Sequence, residues 1–190
     1  MERTETEQIV MAVKQGERES YGRLVEVYQQ RIFRYCFHML GQMQEAEDVA
    51  QDVFIKGFER LEQYQEGTNF GAWLYKIAYR ECLNKLKRAK TYERLIRLFV
   101  RTAPVVESHP VPDVEYNAEL RLAMLRLNPE DRHIILLRIV EENRFEDIAE
   151  QLNMSYAAVR KRYERAKRKL KNGLTEKEGE SDEQSRSLSY

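Results

Sequence analysis

From residue 7 to about residue 88 the apolar residues recur every three to four positions, with breaks near Gly16, Gly41 and Gly67. That spacing lines one face of an α-helix and has none of the alternation of a strand. It predicts helices over residues 7–14, 20–40, 44–64 and 70–90. Between Tyr92 and Tyr116 the regularity fades, and Pro104, Pro110 and Pro112 forbid a continuous helix. Residues 93–116 therefore read as an interdomain linker. Leu95, Ile96, Leu98 and Phe99 make its first half too apolar for a wholly solvated tether, so part of it is expected to pack. A second helical group follows over residues 119–127, from Pro129 onward, and over 145–152 and 156–171. Only eight Gly and four Pro interrupt 190 residues, of which 34% are charged, so the expected fold class is all-α, with two small helical domains. Their spans are 1–92 and 117–173. Residues 174–190 are polar, acidic and Ser-rich, and disorder is expected there.

Charge narrows the function classes. The formal net charge is zero, so any affinity for nucleic acid must come from charge segregated along the chain. The run Arg160, Lys161, Arg162, Arg165, Lys167, Arg168, Lys169 and Lys171 is opposed only by Glu164, while the acids Glu176, Glu178, Glu180, Asp182 and Glu183 follow it. The N-terminus has no apolar signal-peptide core, and no segment approaches the ~18 apolar residues of a membrane span, which predicts a cytoplasmic protein. Cys36 and Cys82 sit in helical patterns without CxxC spacing and read as buried free thiols. His38, His109 and His133 lie in unrelated segments, and no Gly-rich phosphate loop is present, so no catalytic residue, metal, cofactor or small-molecule substrate is expected.

Residues 145–170 have the layout of a helix-turn-helix. Ile148, Ala149 and Leu152 of the first helix face Val159 and Tyr163 of the second, Asn153 suits a left-handed turn position, and Ser155 can cap the second helix. Asn128, Pro129, Glu130 and Asp131 form a strong helix start upstream: a cap, a proline at the first position and acids at the positive dipole end. With Val159, Tyr163, Ala166 and Leu170 inward, Arg160, Lys161, Arg162, Glu164, Arg165, Lys167 and Arg168 form an outward cationic stripe. Such a stripe can donate to guanine edges in the major groove and to phosphates, or it can be a solvated face. Turn chemistry and lopsided sign together favour DNA.

The stretch AEDVAQDVFIKGFERLEQYQEGTNFGAWLYKIAYRECLNKLKR resembles the second conserved region of the main bacterial sigma-factor class. Paired with the later helix-turn-helix, the chain resembles the compact extracytoplasmic-function branch of that class, over residues 20–88 and 119–170. The resemblance implies an alternative sigma factor whose partners are core RNA polymerase, promoter DNA and a membrane-associated anti-sigma factor, although some relatives are controlled otherwise. It implies that Asp48, Gln51 and Asp52, opposite the apolar strip Ala46, Val49, Ala50, Val53 and Gly57, dock on the polymerase clamp helices, with Phe54 and Phe58 as apolar anchors or as core. It assigns capture of a flipped base of the minus-ten element to Thr68, Asn69 and Phe70. Lys76, Tyr79, Arg80, Asn84, Lys87 and Arg88 line the basic face of the next helix. Trp73 reads as a stacking aid or, more simply, as core. For the minus-thirty-five element the implied readers are Ser155, Tyr156, Arg160, Lys161, Arg162, Arg165 and Arg168.

The chain departs from the family pattern in three places: Arg80 stands where many relatives have Asn, Arg144 where a Ser or Thr cap is usual, and Ala158 where a hydroxyl is frequent. Two rival readings remain at this point. One is a helix-turn-helix regulator with a helical dimerisation or sensor domain, which leaves the acid-plus-Gln face unexplained. The other is a helical adaptor that never touches DNA, for which the cationic stripe is incidental.

Overall fold

The computed structural model describes residues 3–99 and 118–187, and among them every regular element is helical. The chain divides into two compact units, residues 1–111 and 112–190. The first unit holds α1 (Arg3–Lys14), a 3-10 turn (Arg18–Ser20), α2 (Tyr21–Leu40), α3 (Met43–Glu59), a second 3-10 turn (Leu61–Gln63) and α4 (Phe70–Phe99).

Its core is built from one stripe of each helix. Ile9, Val10 and Val13 come from α1, and Leu24, Ile32, Tyr35, Cys36 and Met39 from α2. The strip Ala46, Val49, Ala50, Val53 and Gly57 comes from α3, and Leu74, Tyr75, Ile77, Ala78 and Cys82 from α4, all buried. Both cysteines are buried free thiols. Gly57 is required where α2, α3 and α4 converge: a Cβ there would stand 2.7 Å from the Tyr21 hydroxyl and 3.2 Å from Leu74 Cδ1. The Tyr21 hydroxyl uses that space to donate to the Phe54 carbonyl at 2.9 Å, and burial raises its pKa. Gly41 ends α2 in the left-handed region at φ 81°, its N–H bonding the Phe37 carbonyl. Across α3 and α4, Lys56 bonds Glu81 at 2.5 Å, and Lys85 lies 3.7 Å from Glu45 and 3.9 Å from Asp48.

Several boundaries differ from the sequence reading, α1 beginning at Arg3 and the helix expected over 119–127 ending at Leu125. The helix expected over 44–64 stops at Glu59, and the 3-10 turn that follows brings Leu61 and Tyr64 down into the core at 3% and 2% exposure. α4 continues to Phe99, because Pro104 is the first residue able to end it and Leu95, Arg97 and Leu98 are good helix formers. The prolines at 104, 110 and 112, His109 and the packing expected of Leu95, Ile96, Leu98 and Phe99 lie outside what is described. The tail expected to be disordered is instead helical as far as Ser187. No proline interrupts it and Glu, Lys and Gln favour helix, while Gly173, two residues past the expected helix end, packs against the helix that ends at Leu125, where an added Cβ would stand 3.5 Å from Ala123 Cβ.

The second unit holds α5 (Ala118–Leu125), α6 (Pro129–Ile139), α7 (Phe145–Leu152) and α8 (Tyr156–Ser187). The expected start of α6 is present: the Asn128 side chain accepts from the Asp131 N–H at 2.8 Å, with Pro129 in the first turn. Ile134 to Leu137 fill the core together with Ile148, Ala149, Val159 and Ala166. Arg132 is 4% exposed and its guanidinium donates to the carbonyls of Met124, Leu125 and Leu127, satisfying the C-terminal end of α5.

His133 is 1% exposed, and burial holds its imidazole pKa down at about 3. The unfolded chain binds a proton near pH 6.5 that the folded unit refuses, so this unit is fully stable above that pH and weakens on acidification. The slope reaches about 1.4 kcal/mol per pH unit. Hydrogen-exchange protection of α6 amides, corrected for intrinsic rate, should fall by up to tenfold per unit between about pH 6.5 and 5, above the carboxylate range. A flat profile there would contradict the buried neutral imidazole.

Candidate nucleic-acid and protein-docking interfaces

The face of α3 opposite its buried strip is open. Asp48, Gln51 and Asp52 are all exposed, and Asp48 keeps 63% of its side-chain surface despite its pairing with Lys85. Next to them Ile55 is 56% exposed, high for an isoleucine, and Phe58 is 38% exposed with its ring edge-on to Tyr21 at 5.1 Å. Phe54 is half-buried. Acids, an amide and two uncovered apolar side chains on one helix face suit a protein partner better than water.

The loop that precedes α4 presents Thr68 and Asn69 to solvent. Asn69 Oδ1 accepts from the Ala72 N–H at 3.0 Å and so caps α4. Phe70 does not join them. It is 3% exposed and sits among Tyr28, Tyr64 and Trp73, with ring centroids 5.5–5.6 Å away, so the expectation that it stacks on DNA is corrected. An apolar ring at the first position of α4 is carried inward by the helix start that Asn69 fixes. Trp73, read from the sequence as core or as a stacking aid, is the more exposed of the two, being half-buried. Along α4, Lys76, Arg80, Asn84, Lys87 and Arg88 are exposed and Tyr79 is half-buried, one basic face with an aromatic at its edge.

In the second unit the helix-turn-helix forms as expected. Asn153 adopts φ 53° and ψ 46°, Ser155 Oγ accepts from the Ala158 N–H at 3.2 Å, and Arg144 makes no side-chain cap at the start of α7. Phe145 meets Tyr163 edge-on at 5.1 Å and Tyr156 at 6.1 Å, leaving Tyr156 43% exposed. Arg160, Lys161 and Arg168 are exposed, as is Ser155.

Two members of the stripe are held elsewhere. Arg162 bonds Asp131 Oδ1 at 3.0 Å and Glu130 Oε2 at 2.5 Å, and Arg165 reaches both Asp131 oxygens at 3.1–3.2 Å. Asp131 is 1% exposed. The purely outward placement of Arg162 and Arg165 is therefore corrected: Arg162 lies about 60° round the helix from Val159, at the rim of the apolar strip, where α6 meets it. No local pattern signals this pairing, because Asp131 is already accounted for as a helix-start acid and Arg165 lies 34 residues away. Glu7 and Lys14 contact the loop before α4 from 57 and 50 residues away, a distance no local pattern reports.

With this geometry in place, the sequence matches the family description Sigma-70 region 2 over residues 24–92 and Sigma-70, region 4 over residues 117–170. The chain belongs to the extracytoplasmic-function sigma factors. Similar relatives include the ECF RNA polymerase sigma factor SigW of Bacillus subtilis, 26% identical over 87% of this chain and 94% of that protein. Another is the ECF RNA polymerase sigma factor SigE of Mycolicibacterium smegmatis, 29% identical over 85% of this chain and 64% of that longer protein. Among solved structures, the sigma factor RpoE in complex with the anti-sigma factor NepR from Bartonella quintana has a TM-score of 0.70 at 19% identity, covering 83% of this chain and 98% of that one. CnrH in complex with the cytosolic domain of CnrY gives 0.65 at 22% identity over 89% and 96%. At those identities the likeness is one of fold. This sigma factor is an alternative sigma factor, a transcription initiation protein, and no helix among its described residues is long and apolar enough to cross a membrane.

The split within the α8 stripe is directly measurable. Arg162→Ala should destabilise the second unit by about 1–2 kcal/mol, since it strips a charge-assisted bond from a buried carboxylate, whereas Arg160→Ala should stay within about 0.5 kcal/mol. Urea unfolding followed by helicity separates them, and equal stability of the two variants would argue that Arg162 is not a brace.

Proposed function

We propose that this sigma factor binds core RNA polymerase through the open face of α3 and directs promoter-specific initiation by reading two elements with separate units. Asp48, Gln51 and Asp52 supply polar contacts to the clamp helices, with Phe58 and the half-buried Phe54 as apolar contacts beside Ile55. The observation that carries this reading is the sharp sidedness of α3: every member of the strip 46, 49, 50, 53 and 57 is buried while 48, 51, 52 and 55 are exposed. Ile55, 56% exposed, and Phe58, 38% exposed, place two uncovered apolar side chains on the same helix as the acids.

Thr68 and Asn69 read a base extruded from the minus-ten element, and the α4 face of Lys76, Tyr79, Arg80, Asn84, Lys87 and Arg88 receives the separated strand. Unpairing and unstacking a base costs a few kcal/mol, which a polar loop and an aromatic edge offset. Arg160, Lys161 and Arg168, with Ser155 and Tyr156 at the start of α8, read the minus-thirty-five element as intact duplex. Arg165 contributes through the part of its side chain, 46%, that remains exposed beside Asp131. The protein acts in the cytoplasm, carries no catalysis of its own and is held inactive by an anti-sigma factor. Support for that partner comes from the related folds solved in complex with anti-sigma proteins.

Run-off transcription with purified core polymerase, with and without this chain, on the promoter upstream of its own gene tests the whole reading; no factor-dependent transcript would reject it. Replacing Asp48, Gln51 and Asp52 together by Ala should leave melting within about 0.5 kcal/mol per site while core-polymerase affinity drops. Normal binding by that triple variant would move the clamp contact elsewhere. Loss of Arg80 or Asn84 should be rescued on a template already mismatched across the minus-ten element, since the unpairing cost is gone, whereas loss of Arg160 should not be. Permanganate footprinting on paired and pre-melted templates measures the difference, and equal rescue would reject the division of labour.

A further inference from the structure

The region 2 match begins at residue 24, so α1 lies outside it. α1 nevertheless reaches the loop before α4. One oxygen of Glu7 lies 2.8 Å from the Tyr64 hydroxyl and the other accepts from the Gly67 N–H at 3.3 Å. A single carboxylate thereby ties the stem of the loop to its apex, where Gly67 holds the left-handed φ of 76°. Two turns further along the same face of α1, Lys14 donates to the Tyr64 carbonyl at 3.0 Å and pairs with Glu66 at 3.5 Å. α1 is itself fixed by burial of Ile9, Val10 and Val13, so these two side chains project from an anchored platform.

Residues 65–69 are all exposed, so no apolar burial sets the shape of the loop. Polar ties do. The Tyr64 hydroxyl lies 2.7 Å from the Thr68 carbonyl, and Thr68 Oγ1 donates to the Gln65 carbonyl at 2.6 Å. A group that reads a base edge must be held within roughly 0.5 Å of its productive position. The Tyr64 hydroxyl has one proton to share between the Glu7 carboxylate and the Thr68 carbonyl, and together with the Gly67 N–H bond to Glu7 this shared donor restrains the loop from outside.

We propose that Glu7 is a positioning residue for base recognition: it touches no DNA, and it sets the placement of Thr68 and Asn69 by bracing the loop from α1. This rests on the reading of residues 64–69 as the minus-ten capture loop. The test uses the full-length protein with core polymerase on a promoter set carrying each of the four bases at the captured position. The measured quantity is the ratio of initiation on the preferred base to that on the others, a ratio unaffected by loss of active protein. Glu7→Ala should reduce it about tenfold, the factor given by 1.4 kcal/mol, with core-polymerase affinity unchanged. Glu5→Ala, on the same helix as Glu7, breaks only an exposed pair with Arg23 of α2 and should leave the ratio unaltered. Tyr64→Phe removes the hydroxyl and keeps the packed ring, so it should reduce the ratio in the same direction, and it decides the matter alone if Glu7→Ala fails to fold. Asn69→Ala is the reference. A lost ratio in Asn69→Ala with an intact one in Glu7→Ala and Tyr64→Phe overturns the brace and spares the loop reading. An intact ratio in Asn69→Ala as well overturns both.

Discussion

The close approach of three helices at Gly57 governs the first unit. Only a residue without a Cβ admits the Tyr21 hydroxyl and Leu74 at that point, and the bond from Tyr21 to the Phe54 carbonyl closes the contact. Once α3 is held there, its rotation about its own axis is settled: the strip ending at Gly57 faces in and Asp48, Gln51, Asp52 and Ile55 face out. The same contact seats α4, whose inward residues Leu74, Ile77, Ala78 and Cys82 then commit Lys76, Arg80, Asn84 and Arg88 to the opposite side. The open face of α3 and the basic face of α4 are thus two consequences of one packing constraint.

The second unit is organised differently, around a charge rather than a gap. Asp131 is nearly inaccessible and two arginines of α8 converge on it, while Arg132 beside it closes the end of α5. A buried carboxylate is costly unless paired and hydrogen-bonded, so α8 cannot rotate without leaving that charge uncompensated. The orientation of the recognition helix follows from the need to satisfy an acid on α6. Arg160, Lys161 and Arg168 are outward because Arg162 and Arg165 are engaged.

Local rules carried the sequence reading far where one helix or one turn decides the outcome. The Asn128 cap, the left-handed Asn153, the Ser155 cap and the uncapped Arg144 all depend on neighbours a few residues away, and each is found as expected. Local pattern does not decide where two segments compete for one side chain. Phe70 and Trp73 are both large aromatics three residues apart, and nothing local says that Tyr28 and Tyr64 will enclose the first more fully than the second. Gly173 reads locally as a helix end, yet α5 lies alongside it and the helix runs on.

Apolar periodicity, proline placement and cap residues determined by themselves that this chain is all helical, forms two units and carries a helix-turn-helix at its second. Charge order determined that any DNA-binding surface must be local. Which arginines are available to DNA, which aromatic is buried and which helix braces the loop before α4 were decided only by tertiary structure. The reason is physical: each depends on contacts such as Glu7 with Tyr64 or Asp131 with Arg165, 57 and 34 residues apart along the chain. Pattern and propensity act over a turn or two of helix, whereas satisfaction of a buried charge or hydroxyl depends on whatever the fold brings beside it.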